Sequence, residues 1–161
     1  MRITIFATGG TFDKEYNEIT VELYFKDTHI REILDLGRSL LDIDIKMLML
    51  IDSLKMTNKD RAEIAQNCAD SKSRHVVVTH GTDSMRKTAE VVSKKNLDKT
   101  IVFTGAMIPY KFGSSDGLFN LGCALAFVQS LPMGVYIAMN GKYFRWDEVQ
   151  KNKNLGRFER I

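Results

Sequence analysis

Cysteine and proline are scarce in this 161-residue chain, with two of each, and there is a single tryptophan. Neither Cys68 nor Cys123 stands in a CxxC or other metal-ligand spacing. No metal site is therefore implied. Both read as free thiols buried in helices, which fits a reducing compartment. No repeat, low-complexity stretch or Pro/Ser-rich linker divides the sequence. One domain is expected over residues 1–161, long enough to bury a sizeable core. Long apolar runs are missing as well. None approaches the roughly 18 residues of a membrane span. The start, "MRITIFATGG", lacks the longer apolar segment of a signal peptide. A cytoplasmic protein with no membrane partner is the expectation. Charge of one sign is also lacking: Lys and Arg total 23 against 20 Asp and Glu, a net +3. That is too small to argue for nucleic acid.

What the sequence does have is apolar runs alternating with helical patterns. "RITIFAT" (2–8), "IDIKMLMLI" (43–51) and residues 75–79, 100–104 and 134–139 read as strands. Between them, helices are expected over 28–37, from the N-cap Thr57 onward, over 84–95 and over 116–131. Asp60 falls in the first turn of the second, where a carboxylate favours the helix dipole. Strands apolar on both faces and separated by helices describe a parallel sheet covered on both sides. The fold class expected is α/β: a doubly wound, mostly parallel sheet of about five strands in a three-layer α/β/α sandwich. Residues 12–27 read as a long polar loop, and the charged segment after 139 as a solvated tail.

In such sheets the ligand lies beyond the carboxyl ends of the strands. There the sequence sets "ATGGT", "DSL", "THGTD", "TGAM" and "MNGKYF". Hydroxyls, glycines and a carboxylate therefore gather at one edge. Each signal is weak alone. "GGT" lacks full GxGxxG spacing, and no helix follows at once, which argues against a nucleotide-binding domain. Asp83 by itself reads as a helix N-cap, and Lys151 as a solvated lysine. Together they suggest a hydroxyl nucleophile system. A threonine hydroxyl needs a base, a lysine can serve when it passes its proton on, and a carboxylate can orient it. Glycine turns offer backbone N–H groups to a developing oxyanion.

"ATGGT", "THGTDSM", "TGAMIP", "SSDGLFNL" and "DEVQKN" occur in that order, and from residue 3 to about 155 the chain resembles the bacterial L-asparaginases. The resemblance implies hydrolysis of L-asparagine to L-aspartate and ammonia, without a cofactor. Thr11 matches the threonine that attacks the side-chain amide, and Thr82 the second catalytic threonine. Asp83 matches the residue that binds the substrate α-amino group. Lys151 matches the lysine completing a Thr-Lys-Asp triad. Ser53 matches the serine that holds the α-carboxylate, and Tyr16 looks like the lid tyrosine that activates the first threonine. Gly10 belongs to the substrate-binding turn. Ala106 matches a position whose carbonyl faces the amide. Which threonine attacks first is left open.

Three departures stand out. Ser84 replaces the usual threonine after HGTD, and Leu54 stands where many members carry Gln or Glu. The C-terminal domain of the family's two-domain members is absent from these residues, so the resemblance is to the short, single-domain form. A homo-oligomer, dimer or tetramer, is expected to cover the open cleft. Two other readings remain at this level: a catalytically weak asparagine- or aspartate-binding module, and an ammonia-supplying partner of a tRNA-dependent amidotransferase. Several residues read as structural. His80 is expected to be a strand-end histidine, Asp116 an N-cap, and Met47, Met49 and Met56 core or rim.

Overall fold

The computed structural model describes residues 1–161. Its main sheet joins β4 (Asp42–Ile51), β1 (Arg2–Gly9), β5 (His75–Thr79), β6 (Thr100–Thr104), β7 (Gly134–Met139) and β8 (Lys142–Arg145), in that spatial order. The first five are parallel; β8 runs antiparallel to β7. Alternate side chains of each strand go to opposite faces. Ile3, Ile5, Ala7 and Val77 pack with α1 (Ile30–Leu36) and α4 (Gly117–Ser130). Phe6, Val76 and Val78 pack with α2 (Asn58–Asp70) and α3 (Met85–Ser93). The three-layer, doubly wound reading therefore holds. The helix read from Thr57 starts as expected, with Thr57 and Asp60 in a reciprocal capping box.

Strand order reverses between β1 and β5: the chain goes from β1 to β4 on one side, then to β5 on the other. The crevice of a doubly wound sheet opens at such a switch point. TGGT leaves β1 there, and HGTD leaves β5. The two strand ends are level, with Ala7 opposite Thr79 and Thr79 opposite Thr104.

Two segments differ from the sequence reading. The supposed loop 12–27 opens with a short 3₁₀ turn, Thr11–Asp13, and then folds into a hairpin of β2 (Lys14–Asn17) and β3 (Glu22–Phe25). Its turn is closed by Asn17, whose side-chain oxygen accepts from the Ile19 and Thr20 amides.

The charged tail is not solvated. After β8 come β9 (Val149–Asn152) and β10 (Arg157–Arg160), an antiparallel hairpin whose Val149 and Phe158 are buried in the core on the α2/α3 side. Two apolar side chains among so many charges are enough, because in a strand every second residue shares a face. Phe158→Ala is expected to cost about 3–5 kcal/mol of unfolding free energy in denaturant melts. A cost near zero would return the segment to a tail.

Candidate active site

Close contacts between glycines draw the strand-end motifs together. A Cβ on Gly10 would lie 2.4 Å from the Cα of Gly81, and Gly10 has φ 78°, so no other residue fits without displacing the loop. A Cβ on Gly81 would lie 2.6 Å from Ser53 Oγ, and one on Gly105 would lie 2.3 Å from the His80 carbonyl. TGGT, HGTD, DSL and TGAM thus meet at one point without side chains between them. The Gly10 amide is taken by the Ile51 carbonyl at 3.0 Å.

Lys151 enters this point from β9. It shares a strand face with buried Val149 and stands opposite buried Phe158, which directs it inward. Its Nζ lies 2.7 Å from Thr82 Oγ1 and 2.9 Å from Asp83 Oδ1. The Lys151 side chain is 14% exposed, against 34% for Asp83. Thr82 is buried, and its hydroxyl also reaches the Met107 sulfur at 3.6 Å. Asp83 therefore faces the lysine. The helix cap position falls to Ser84, which makes no capping bond with its side chain.

The other residues singled out in the sequence divide into two sets. Ser53 is buried, and its hydroxyl bonds to no protein group. Ala106 is buried, one residue beyond Gly105. Thr11 follows Gly10 directly and is half-buried, with no side-chain hydrogen bond. Gly10 and Ser53 pack against Gly81, next to Thr82, Asp83 and Lys151, and Thr11 and Ala106 adjoin this point in sequence. Tyr16 makes up the second set: it lies on β2, 48% exposed and bonded to nothing. Its hairpin is nevertheless moored close by. Lys14 Nζ sits 2.5 Å from Asp52 Oδ2, which holds the Asp52 carboxyl below its usual range. That mooring was not visible in the sequence, where Lys14 is one charge among several.

The sequence gives Asp116 and His80 structural roles. Asp116 is no side-chain N-cap. It accepts from the Met107 and Ile108 amides at 3.0 Å each and from Asn120 Nδ2 at 2.9 Å, so it shapes the TGAM loop. His80 is structural, as expected: it is fully buried, with Nδ1 2.8 Å from the Gly81 carbonyl and Nε2 2.8 Å from Thr88 Oγ1. Burial pushes its pKa down to about 4. A lowered folded-state pKa means that the unfolded chain takes up the proton first on acidification. Stability contributed by neutral His80 is therefore present above the ordinary pKa of 6.5 and lost as pH falls from there toward 4. The melting-temperature difference between wild type and His80→Gln is expected to shrink over that window. A constant difference would contradict a neutral, buried imidazole.

A threonine, a lysine and an aspartate thus lie in contact beside the switch point of an open α/β sheet. Residues 2–158 match the family described as "Asparaginase, N-terminal", and the chain belongs to that family. The L-asparaginase of Thermococcus kodakarensis superposes with a TM-score of 0.87 at 27% identity, covering 100% of this chain and 51% of that one. A probable cytoplasmic L-asparaginase from Campylobacter jejuni gives 0.85 at 31% identity, covering 99% and 52%. A glutamyl-tRNA(Gln) amidotransferase subunit from Pyrococcus furiosus is 33% identical over 147 residues, 87% of this chain and 34% of its own length. The chain thus spans about half the length of these asparaginases, and less of the amidotransferase subunit. No helix is long and apolar enough to cross a membrane.

Proposed function

We propose that this chain hydrolyses the side-chain amide of L-asparagine to L-aspartate and ammonia, through a covalent acyl-threonine. The observation that carries the reading is the Lys151–Thr82–Asp83 contact at the mouth of the switch-point cleft. In this reading Thr11, beside the Gly10 turn, attacks the amide carbon, and Tyr16 assists once its hairpin closes over substrate. The C–N bond breaks and ammonia leaves with a proton delivered through Thr82 and Lys151. Water then attacks the acyl ester under the same relay, releasing aspartate and restoring the threonine hydroxyl. The Thr82 amide, which has no backbone partner, is available to stabilise the oxyanion. Ser53 seats the α-carboxylate, Asp83 the α-amino group, and the Ala106 carbonyl faces the amide nitrogen.

The proposal extends to a cytoplasmic homo-oligomer, dimer or tetramer, in which a second copy covers the open side of the site. Hydroxylamine tests the covalent step. It is expected to divert product to β-aspartyl hydroxamate while aspartate formation falls correspondingly. No hydroxamate at any hydroxylamine concentration would contradict an acyl-enzyme.

The similarity to an amidotransferase subunit favours one second reading, in which ammonia is handed to a partner enzyme. That reading predicts little ammonia release by the chain alone and strong stimulation on adding the partner.

A further inference from the structure

Arg61 on α2 is 3% exposed, yet no carboxylate meets its guanidinium. Nη1 donates to the Met56 carbonyl at 2.5 Å and to the Thr57 carbonyl at 3.0 Å, and Nη2 donates to Ser84 Oγ at 3.0 Å. Nε is buried without an acceptor. A buried cation with no directly paired carboxylate, only the field of the neighbouring Asp60, is unfavourable, so its presence calls for a compensating use. Starting α2 is not that use, because Thr57 and Asp60 already cap the helix reciprocally.

The contacts of Arg61 lead instead to the cleft. Ser84 Oγ, which accepts from the guanidinium, donates to the Ser53 carbonyl at 2.7 Å. Arg61, Ser84 and Ser53 therefore form a continuous hydrogen-bonded line ending at a serine whose own hydroxyl is unspent. The positive charge also reaches the strand end: after burial, it is a further influence keeping His80 neutral.

We infer that Arg61 is a positioning residue that makes the site select for ligands bearing a free carboxylate. Through Ser84 it fixes the turn that carries Ser53, and its charge, which meets no carboxylate directly and is offset only by the neighbouring Asp60, lies behind the carboxylate seat. The inference rests on the assignment of that seat to Ser53. It also explains the hydroxyl of Ser84, which follows HGTD and relays between guanidinium and turn.

The test compares L-asparagine with L-asparaginamide, in which the α-carboxylate is a neutral amide, by following side-chain hydrolysis chromatographically. Arg61→Met is expected to raise KM for asparagine at least about tenfold, the size of one charge-assisted hydrogen bond. Its preference for asparagine over asparaginamide is expected to shrink by a similar factor, with kcat on asparagine changed far less than KM. Arg61→Lys, which keeps the charge, is expected to recover part of the preference. Equal losses on both substrates would mark Arg61 as merely structural and overturn the inference. So would an unchanged preference in an active wild-type background. Should Arg61→Met fail to fold, Ser84→Ala cuts the same line. A raised KM for asparagine supports the inference, and an unchanged KM overturns it. A wild type with no turnover on asparagine removes the functional reading itself and the inference with it.

Discussion

Lys151→Arg is expected to be nearly as inactive as Lys151→Met, with kcat on L-asparagine reduced about 10²–10⁴-fold, the range that a positioned acid–base group supplies. The arginine keeps the positive charge and its attraction to Asp83. What it cannot do is give up a proton at working pH. Lysine is the residue type that can pass a proton on, and Lys151 Nζ stands 2.7 Å from the Thr82 hydroxyl that it would serve in the proposed relay. A charge-only role for Lys151 would let arginine work, so the two substitutions separate proton transfer from electrostatics. Lys153, two residues along on the exposed turn, is the control. Lys153→Met is expected to be almost silent in rate and in melting temperature, since exposed lysines contribute little. Retention of most of the wild-type rate by Lys151→Arg would dissolve the proposed relay and leave HGTD as a turn before a helix.

The second large effect concerns the two threonines. Thr82→Val conserves shape and keeps the methyl, which lies 3.4 Å from where a Cβ on Gly105 would stand. It removes only the hydroxyl that faces Lys151. Thr11→Ala removes a hydroxyl that bonds to nothing in the free protein, so its loss costs the fold little. Each variant is expected to lower kcat by at least about 10³-fold, and the double variant little further, because members of one catalytic unit act non-additively. Single-turnover measurements on the pair separate their roles. The variant that still forms a covalent aspartyl adduct, read by intact-protein mass, retains the attacking threonine. Near-normal turnover by either variant would remove that residue from the chemistry.

The parts of the fold legible in the sequence were those written in apolar periodicity. Val76–Val78 and Ile101–Phe103 are buried on both faces, so their runs are continuous and leave little room for another reading. Thr57 and Asp60 announce a helix start because a capping box needs those two residue types three apart. The region beyond residue 139 was illegible for the opposite reason. In β9 and β10 the core contacts rest on Val149 and Phe158 alone, the other residues of both strands are polar, and Leu155 in the turn is exposed. No local pattern marks such a hairpin; only its contact with the finished sheet does. The same holds for residues 14–25, whose hairpin carries Ile19, Val21 and Leu23 outward to solvent and hides no periodic face.

The candidate site is legible as motifs and not as geometry. TGGT and HGTD name the residues, but Gly10 and Gly81 in direct contact explain why two distant motifs share one cleft. Lys151 is singled out by motif alone, and its environment is not the solvated one its composition suggests. Its neighbours in sequence are polar and charged, whereas its neighbours in space are Thr82 and Asp83. Arg61 gave no signal at all. In sequence it is one charge on a polar helix, and its burial follows only from the packing of α2 against α3 beneath the DSL turn. Asp116 differs more subtly: it does stand at the helix start, but its carboxylate accepts from the amides of Met107 and Ile108 and from the Asn120 side chain, and not from the free amides of its own helix.

The central claim is that these residues by themselves constitute an amide hydrolase, and one measurement addresses it directly. The purified chain, with no partner added, is incubated with L-asparagine, and ammonia and aspartate are followed together by a coupled assay and chromatography. Steady release of the two products in equal amounts is expected, proportional to protein, with L-asparagine preferred over D-asparagine, and release abolished in Thr82→Val. Asparagine binding without product, or ammonia at the background rate of Thr82→Val, would contradict it.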